Sequence, residues 1–146
     1  MIAIASDHGG FDLKEDLKSY LLELGSLVED LGTDSMASVD YPDYGVALAR
    51  KVASGDYEKG ILVCGTGIGM SIVANKIPGI RAALVGDVYS ARMSVEHNNA
   101  NILVLGSRVT GGGLAREIVR VWLESKYEGG RHQKRLDKIT EIEAGG

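Results

Sequence analysis

The only cysteine of the chain, Cys64, stands where the apolar run Ile61-Leu62-Val63 meets a turn with glycine at every second position, Gly65, Gly67 and Gly69. Glycine removes side chains from such a turn and lets backbone N–H groups face a ligand. A helix over residues 70–76 adds the positive end of its dipole to the same turn. Helix N-termini are among the surroundings that favour a thiolate over a thiol. A strand-end thiol in this setting can act as a nucleophile, as a proton-transfer base or beside a phosphate cradle. The competing reading is packing, since cysteine often serves as a small core residue. The spacing G-x-G-x-G is not the dinucleotide-binding pattern, and no Gly-Lys-Ser/Thr follows to make a P-loop.

Three other groups carry chemistry. Asp7 and His8 follow the first apolar run and precede Gly9-Gly10. A carboxylate beside an imidazole can orient a hydroxyl or a phosphate, and aspartate serves equally well as the N-cap of a helix starting near Phe11. His97-Asn98-Asn99-Ala100-Asn101 gathers hydrogen-bonding groups between a helix end and a strand. Histidine there can simply meet the helix dipole, and asparagine can cap the helix. Arg131 and Arg135 are four residues apart, so a helix places both on one face, with Lys134 and Lys138 on the neighbouring stripe. A forked arginine pair suits a phosphate clamp, and its alternative is a solvated basic face.

Net charge excludes some partners. With 20 acidic and 16 basic residues the chain carries −4, which argues against nucleic acid or a membrane surface. The basic cluster is also too short for DNA and points to a small anion. Three histidines and one cysteine with no close ligand spacing give no zinc or iron site. No Gly-x-Ser-x-Gly elbow supports a serine hydrolase.

The elements that must position these residues read from apolar periodicity. Strands are expected over residues 1–5, 26–30, 60–64, 80–85 and 101–105. Helices are expected over 11–24, 43–54, 70–76, 88–97, 114–125 and 133–142, with a polar loop over 34–42. In the first helix Phe11, Leu13, Leu17, Tyr20, Leu21 and Leu24 share a face. The alternation predicts an α/β fold, a three-layer α/β/α sandwich around a five-stranded parallel Rossmann-like sheet. A length of 146 residues fits one domain able to bury a core. The start reads as a strand and not a signal peptide, and Gly145-Gly146 as a frayed tail. No apolar run approaches a membrane span of ~18 residues, and a lone cysteine suits a reduced, cytoplasmic setting. In such sheets ligands bind beyond the carboxyl ends of the strands. That rule selects Ser6-Asp7-His8, Cys64 to Gly69, Gly86-Asp87 and Gly106-Ser107-Arg108.

Taken in order, several motifs resemble the type B ribose-5-phosphate isomerase family, which also holds galactose- and allose-6-phosphate isomerases. They are Ser6-Asp7-His8-Gly9-Gly10-Phe11, Val39-Asp40-Tyr41-Pro42, Cys64 to Ser71, Ala74-Asn75-Lys76, Gly79-Ile80-Arg81-Ala82, His97 to Asn101, Gly106-Ser107-Arg108 and Tyr127 to His132. The resemblance runs from end to end. It implies aldose–ketose isomerisation of a phosphorylated sugar through an enediol(ate), with neither metal nor cofactor. By the same resemblance Cys64 is the base between C1 and C2, and the turn Gly65, Thr66, Gly67, Ile68 and Gly69 holds the oxyanion. His97 assists ring opening, Asp7 and His8 contact the sugar, and Asn98 binds a hydroxyl or the enediolate. Arg108, Arg131 and Arg135 bind the phosphate. The resemblance also implies a homodimer or dimer of dimers with shared sites, His97 and the arginine side coming from the partner chain. The C-terminal helix, about 131–143, contributes to that interface. Some members carry Ser in place of Cys and a Glu farther along the turn. This chain has Cys64, with Met70 and Ser71 after Gly69 and no acid there. The expected substrate pair is D-ribose 5-phosphate and D-ribulose 5-phosphate. One alternative is a hexose 6-phosphate, allose or galactose. Another is a non-catalytic sugar-phosphate binder, which has no need of Cys64 and His97.

Overall fold

A computed structural model describes residues 1–145, so Gly146 of the expected frayed tail lies outside the described residues. The strands are β1 (Ile2–Ser6), β2 (Val28–Asp30), β3 (Lys59–Cys64), β4 (Ala82–Leu84) and β5 (Ile102–Gly106). The helices are α1 (Phe11–Glu23), α2 (Tyr41–Ala53), α3 (Ile68–Ala74), α4 (Val88–Glu96), α5 (Gly112–Glu124) and α6 (Arg131–Glu143). All four strand pairings are parallel, in the order β2-β1-β3-β5-β4. This is the α/β sandwich that the alternation predicts.

Every residue of β1 and β5 is buried, as is β3 from Gly60 onward, which is why these strands read as unbroken apolar runs. Alternate side chains feed two cores. One face packs Ile4, Ile61 and Leu103 against Leu17 and Leu21 of α1, Val95 of α4 and Trp122 of α5. The other packs Ala3, Leu62 and Val104 against Leu48 of α2 and Met70 of α3. Helix α6 belongs to neither core: it buries only His132 and Leu136 and leaves Ile139 and Ile142 exposed. Among the described residues no helix is long and apolar enough to cross a membrane.

Several element ends differ from expectation. Helix α2 begins at Tyr41 and takes Pro42 into its first turn, where the missing N–H is not needed and the fixed φ already suits a helix. Helix α3 begins two residues early, at Ile68, because Gly67 at φ 80 supplies the left-handed cap. The α1 face also changes: it buries Lys14 together with Leu17 and Leu21, and leaves Leu24 exposed. Lys14 occupies the same stripe as Leu17, and its ammonium is compensated by Asp30 at the end of β2 and by Glu15 at 3.1 Å. Lys18 meets Asp30 and Glu15 at 2.8 Å each. A charge cluster therefore clamps α1 to the edge strand, because a buried ammonium must be paired.

Candidate active site

The carboxyl ends of β1, β3 and β5 bring one group of residues together. Asp7 leaves β1 and its Oδ1 accepts from Gly10 N–H at 3.0 Å, so its carboxylate caps the turn His8–Gly10 that leads into α1. His8 sits on that turn, half-buried. Cys64 closes β3 with 5 % exposure, its side chain in the core that Met70 also enters. After β5, Ser107 N–H donates to Cys64 O and Arg108 N–H to Gly65 O, both at 2.9 Å. Ser107 Oγ also donates to Gly9 O at 2.6 Å, joining the β1 and β3 loops. The Arg108 guanidinium lies over the glycines: a Cβ on Gly65 would stand 3.0 Å from Nη1, and one on Gly9 3.5 Å from Nη2. A side chain at position 65 would thus push the cation off the turn. Gly67 is tighter, since a Cβ there would meet Leu84 at 2.5 Å. Thr66 is exposed and its Oγ1 accepts from Ile68 N–H at 3.2 Å, leaving the hydroxyl proton for a ligand. The first turn of α3 directs N–H groups to the same place. The chain order also reverses between β1 and β3, the point where open α/β sheets bind ligands.

His97, Asn98, Arg131 and Arg135 form a second group around a cavity of about 320 Å³. His97 is the C-cap of α4. Its ring stacks on His132 at 4.2 Å between centroids and 17° between planes. Glu128 Oε1 lies 3.8 Å from His97 Nε2 and 3.4 Å from His132 Nε2. Glu128 N–H also donates to Glu96 O, tying the start of α6 to the end of α4. His132 and Glu128 belong to the Tyr127 to His132 motif, but their link to His97 escapes sequence reasoning because it is tertiary. The E-x-x-x-H spacing was the one local signal.

His97, Glu128 and His132 offer three donor atoms within 4.8 Å of one another. Arg131 and Arg135 add positive charge to the same cavity, which opposes a cation there. The other asparagines of the motif hold the fold. Asn99 adopts a left-handed conformation at φ 49, Asn101 brackets Arg81 N–H and Gly79 O, and Asn75 brackets Ala82.

The two groups occupy opposite ends of the sheet. Asn101 O accepts from Gly60 N–H, so the segment after His97 meets the start of β3. Cys64 stands at its other end, paired in register with Gly106. Four strand residues separate these levels by roughly 13 Å. Within one chain the candidate base and the candidate ring-opening histidine are thus not brought together. The arginines divide as well, which corrects the expectation that all of them lie on the His97 side. Arg108 follows β5 at its carboxyl end and stays with Cys64, whereas Arg131 and Arg135 stay with His97.

Known proteins share this framework. The model of the Ribose/Galactose Isomerase family matches residues 2–139. Ribose-5-phosphate isomerase B of Escherichia coli is 51% identical over 142 residues, covering 97% of this chain and 95% of that protein. D-erythrulose-4-phosphate isomerase of Pectobacterium atrosepticum is 45% identical over 139 residues, covering 94% and 91%. The structure of ribose-5-phosphate isomerase B from Clostridium thermocellum superposes with a TM-score of 0.97 at 53% identity, covering 99% of this chain and 97% of that one. With a family model spanning nearly the whole chain and relatives at half identity, the chain belongs to the ribose/galactose isomerase family.

Proposed function

We propose that this chain, acting over residues 1–146 as one domain, interconverts D-ribose 5-phosphate and D-ribulose 5-phosphate. The observation that carries the reading is Cys64 at the carboxyl end of β3, opening on a glycine turn that Arg108 overlies. The proton on the carbon beside a carbonyl is weakly acidic, so a base succeeds only where the developing oxyanion is stabilised. Preorganised N–H donors do this, and removing one costs roughly 100- to 1,000-fold in rate where measured. The Cys64 thiolate takes the C2 proton of the open-chain aldose. The electron pair of that bond forms the C1–C2 double bond, and the C1 oxygen becomes an oxyanion facing the turn from Gly65 to Gly69 and the Thr66 hydroxyl. The thiol then returns the proton to C1 while the C2 hydroxyl proton passes to O1, leaving a ketone at C2. Asp7 and His8 face the sugar, and Asn98 binds a hydroxyl or the enediolate.

His97 must reach the ring oxygen of the closed furanose to open it, yet it lies at the far end of the sheet. A second copy resolves this: its His97, Asn98, Arg131 and Arg135 group meets the Cys64 group of the first. The phosphate then sits between Arg108 of one chain and the arginine pair of its partner. Helix α6 supports such an assembly, because its apolar Ile139 and Ile142 remain uncovered beside an apolar groove that Ile80 and Ala82 help to line. A homodimer, alone or paired into a tetramer, is the reading that follows.

The test is kcat/KM on ribose 5-phosphate beside allose 6-phosphate, galactose 6-phosphate and erythrulose 4-phosphate, with a chelator present. A preference of about tenfold or more for ribose 5-phosphate, or about 1.4 kcal/mol of transition-state binding, supports the proposal. A like preference for a hexose or tetrose phosphate transfers it to that sugar, and binding without turnover leaves a sugar-phosphate binder.

A further inference from the structure

We infer that the backbone N–H of Val39 fixes His8 as the tautomer protonated at Nε2, so that His8 meets the substrate as a hydrogen-bond donor to an acceptor oxygen. The identity of that substrate rests on the isomerase reading above; the tautomer does not. Val39 N–H donates to His8 Nδ1 at 3.1 Å in a part-buried contact between residues 31 apart in sequence. A backbone amide nitrogen has no acceptor function, unlike a hydroxyl, so this contact exists only if Nδ1 carries the lone pair. In the neutral imidazole the proton then resides on Nε2, the nitrogen left free for a ligand.

The segment that delivers the amide is pinned at both ends. Before it, Thr33 is buried, its N–H donates to Ser6 O, and Ser6 N–H donates to Gly32 O, each at 2.8 Å. After it, Tyr41 opens α2 and its ring lies against Gly69, where a Cβ would collide with it. One strap thus touches His8 through Val39 and the glycine turn through Tyr41. His8 Nε2–H and the Arg108 guanidinium are then two donors at the same end of the sheet, a pairing that fits a phosphate or carbonyl oxygen. Val39 acts here as a positioning residue through its backbone.

Long-range proton–nitrogen NMR of the protein labelled with ¹⁵N-histidine reads the tautomer directly, at a pH where the imidazoles are neutral. Only three histidines must be told apart, and His8→Gln identifies the relevant signals. The expected pattern is an unprotonated Nδ1 and a protonated Nε2 for His8. Replacing the amide at Val39 by an ester removes this one donor and keeps the side chain. That change should shift His8 toward a tautomer mixture and raise KM about three- to tenfold, the scale of one neutral hydrogen bond, with kcat within about twofold. In a His8→Gln background the ester should add nothing to KM. A wild-type His8 protonated at Nδ1, or evenly mixed, overturns the inference. So does an ester that raises KM equally with and without His8, since that marks a structural role only. The wild-type spectrum needs no variant and no substrate. A protein that turns over none of the four sugar phosphates but shows the expected tautomer would sink the isomerase reading alone.

Discussion

Cys64 is the proposed proton-transfer base at the carboxyl end of β3, so its removal should end turnover. Cys64→Ala should lower kcat by roughly 100- to 10,000-fold, the range of general base catalysis, while the melting temperature changes little. Wild-type-like rates in that variant would remove Cys64 from the mechanism. Arg135→Ala tests the other group. A guanidinium that holds phosphate contributes binding in ground and transition state alike, so KM should rise about tenfold or more while kcat stays close to wild type. An unchanged KM would make Arg135 a solvated surface residue. His97→Asn should slow turnover of ribose 5-phosphate, which is mostly ring-closed, more than turnover of ribulose 5-phosphate, which cannot close that ring. Equal losses in the two directions would argue against ring opening. The motif residues Cys64, Asp7, His8, Arg131 and Arg135 were all legible in sequence. The contacts of His132 and Glu128 with His97 were not, because a stacked ring and a shared carboxylate depend on the packing of α6 against the end of α4.

At the level of elements, apolar periodicity located the five strands and six α-helices of the described residues but not the short 3-10 turn His8–Gly10, and the other errors sit at ends and at one buried charge. Pro42 and Gly67 moved helix starts by their own backbone preferences. Lys14 was invisible as a core residue, because its partner Asp30 is sixteen residues away on the edge strand. The clamp gives a stability prediction. Asp30→Asn should cost about 2–3 kcal/mol in chemical denaturation, since it leaves the buried Lys14 ammonium with Glu15 alone. Asp16→Asn breaks only a solvated pair with Arg116 and should cost under about 1 kcal/mol. Burial pushes the Asp30 carboxyl up, but hydrogen bonds from Lys14, Lys18 and the Gly32 N–H outweigh it and hold it below the usual carboxylate range. Glu15 is held low by Lys18, and Asp16 by Arg116. Carboxyls depressed in the folded state stabilise it above their unfolded values of about 3.9–4.3, and that contribution is lost as pH falls through the folded values. The Lys18 ammonium is raised by Asp30 and Glu15, so its contribution is full below about 10.4 and is lost as pH rises beyond it. Denaturation midpoints should fall as pH drops below about 4, less steeply in Asp30→Asn, and an unchanged acid slope in that variant would show that the clamp does not govern acid stability.

For the whole molecule, the separation of the two candidate groups is the central feature. The carboxyl-end rule for parallel sheets picked out Asp7, Cys64 and Arg108 but could not reach His97 or Arg131, which the topology sends to the amino end. Residue type and helical spacing singled out His97 and the pair Arg131 and Arg135 without placing them, and the resemblance did not separate Arg108 from the other arginines. A site completed by a second copy has a direct test in mixed assemblies. Cys64→Ala and the double variant Arg131→Ala/Arg135→Ala should each be nearly inactive at ribose 5-phosphate far below the wild-type KM. Mixed in equal amounts, unfolded and refolded together, they form mixed dimers in which one site carries both substitutions and the other carries neither. Random two-fold pairing makes half of the dimers mixed, so activity should recover to about one quarter of wild type. Recovery to that level confirms that Cys64 of one chain works with the arginines of its partner; no recovery above the two variants alone, with mixed dimers present, would contradict it.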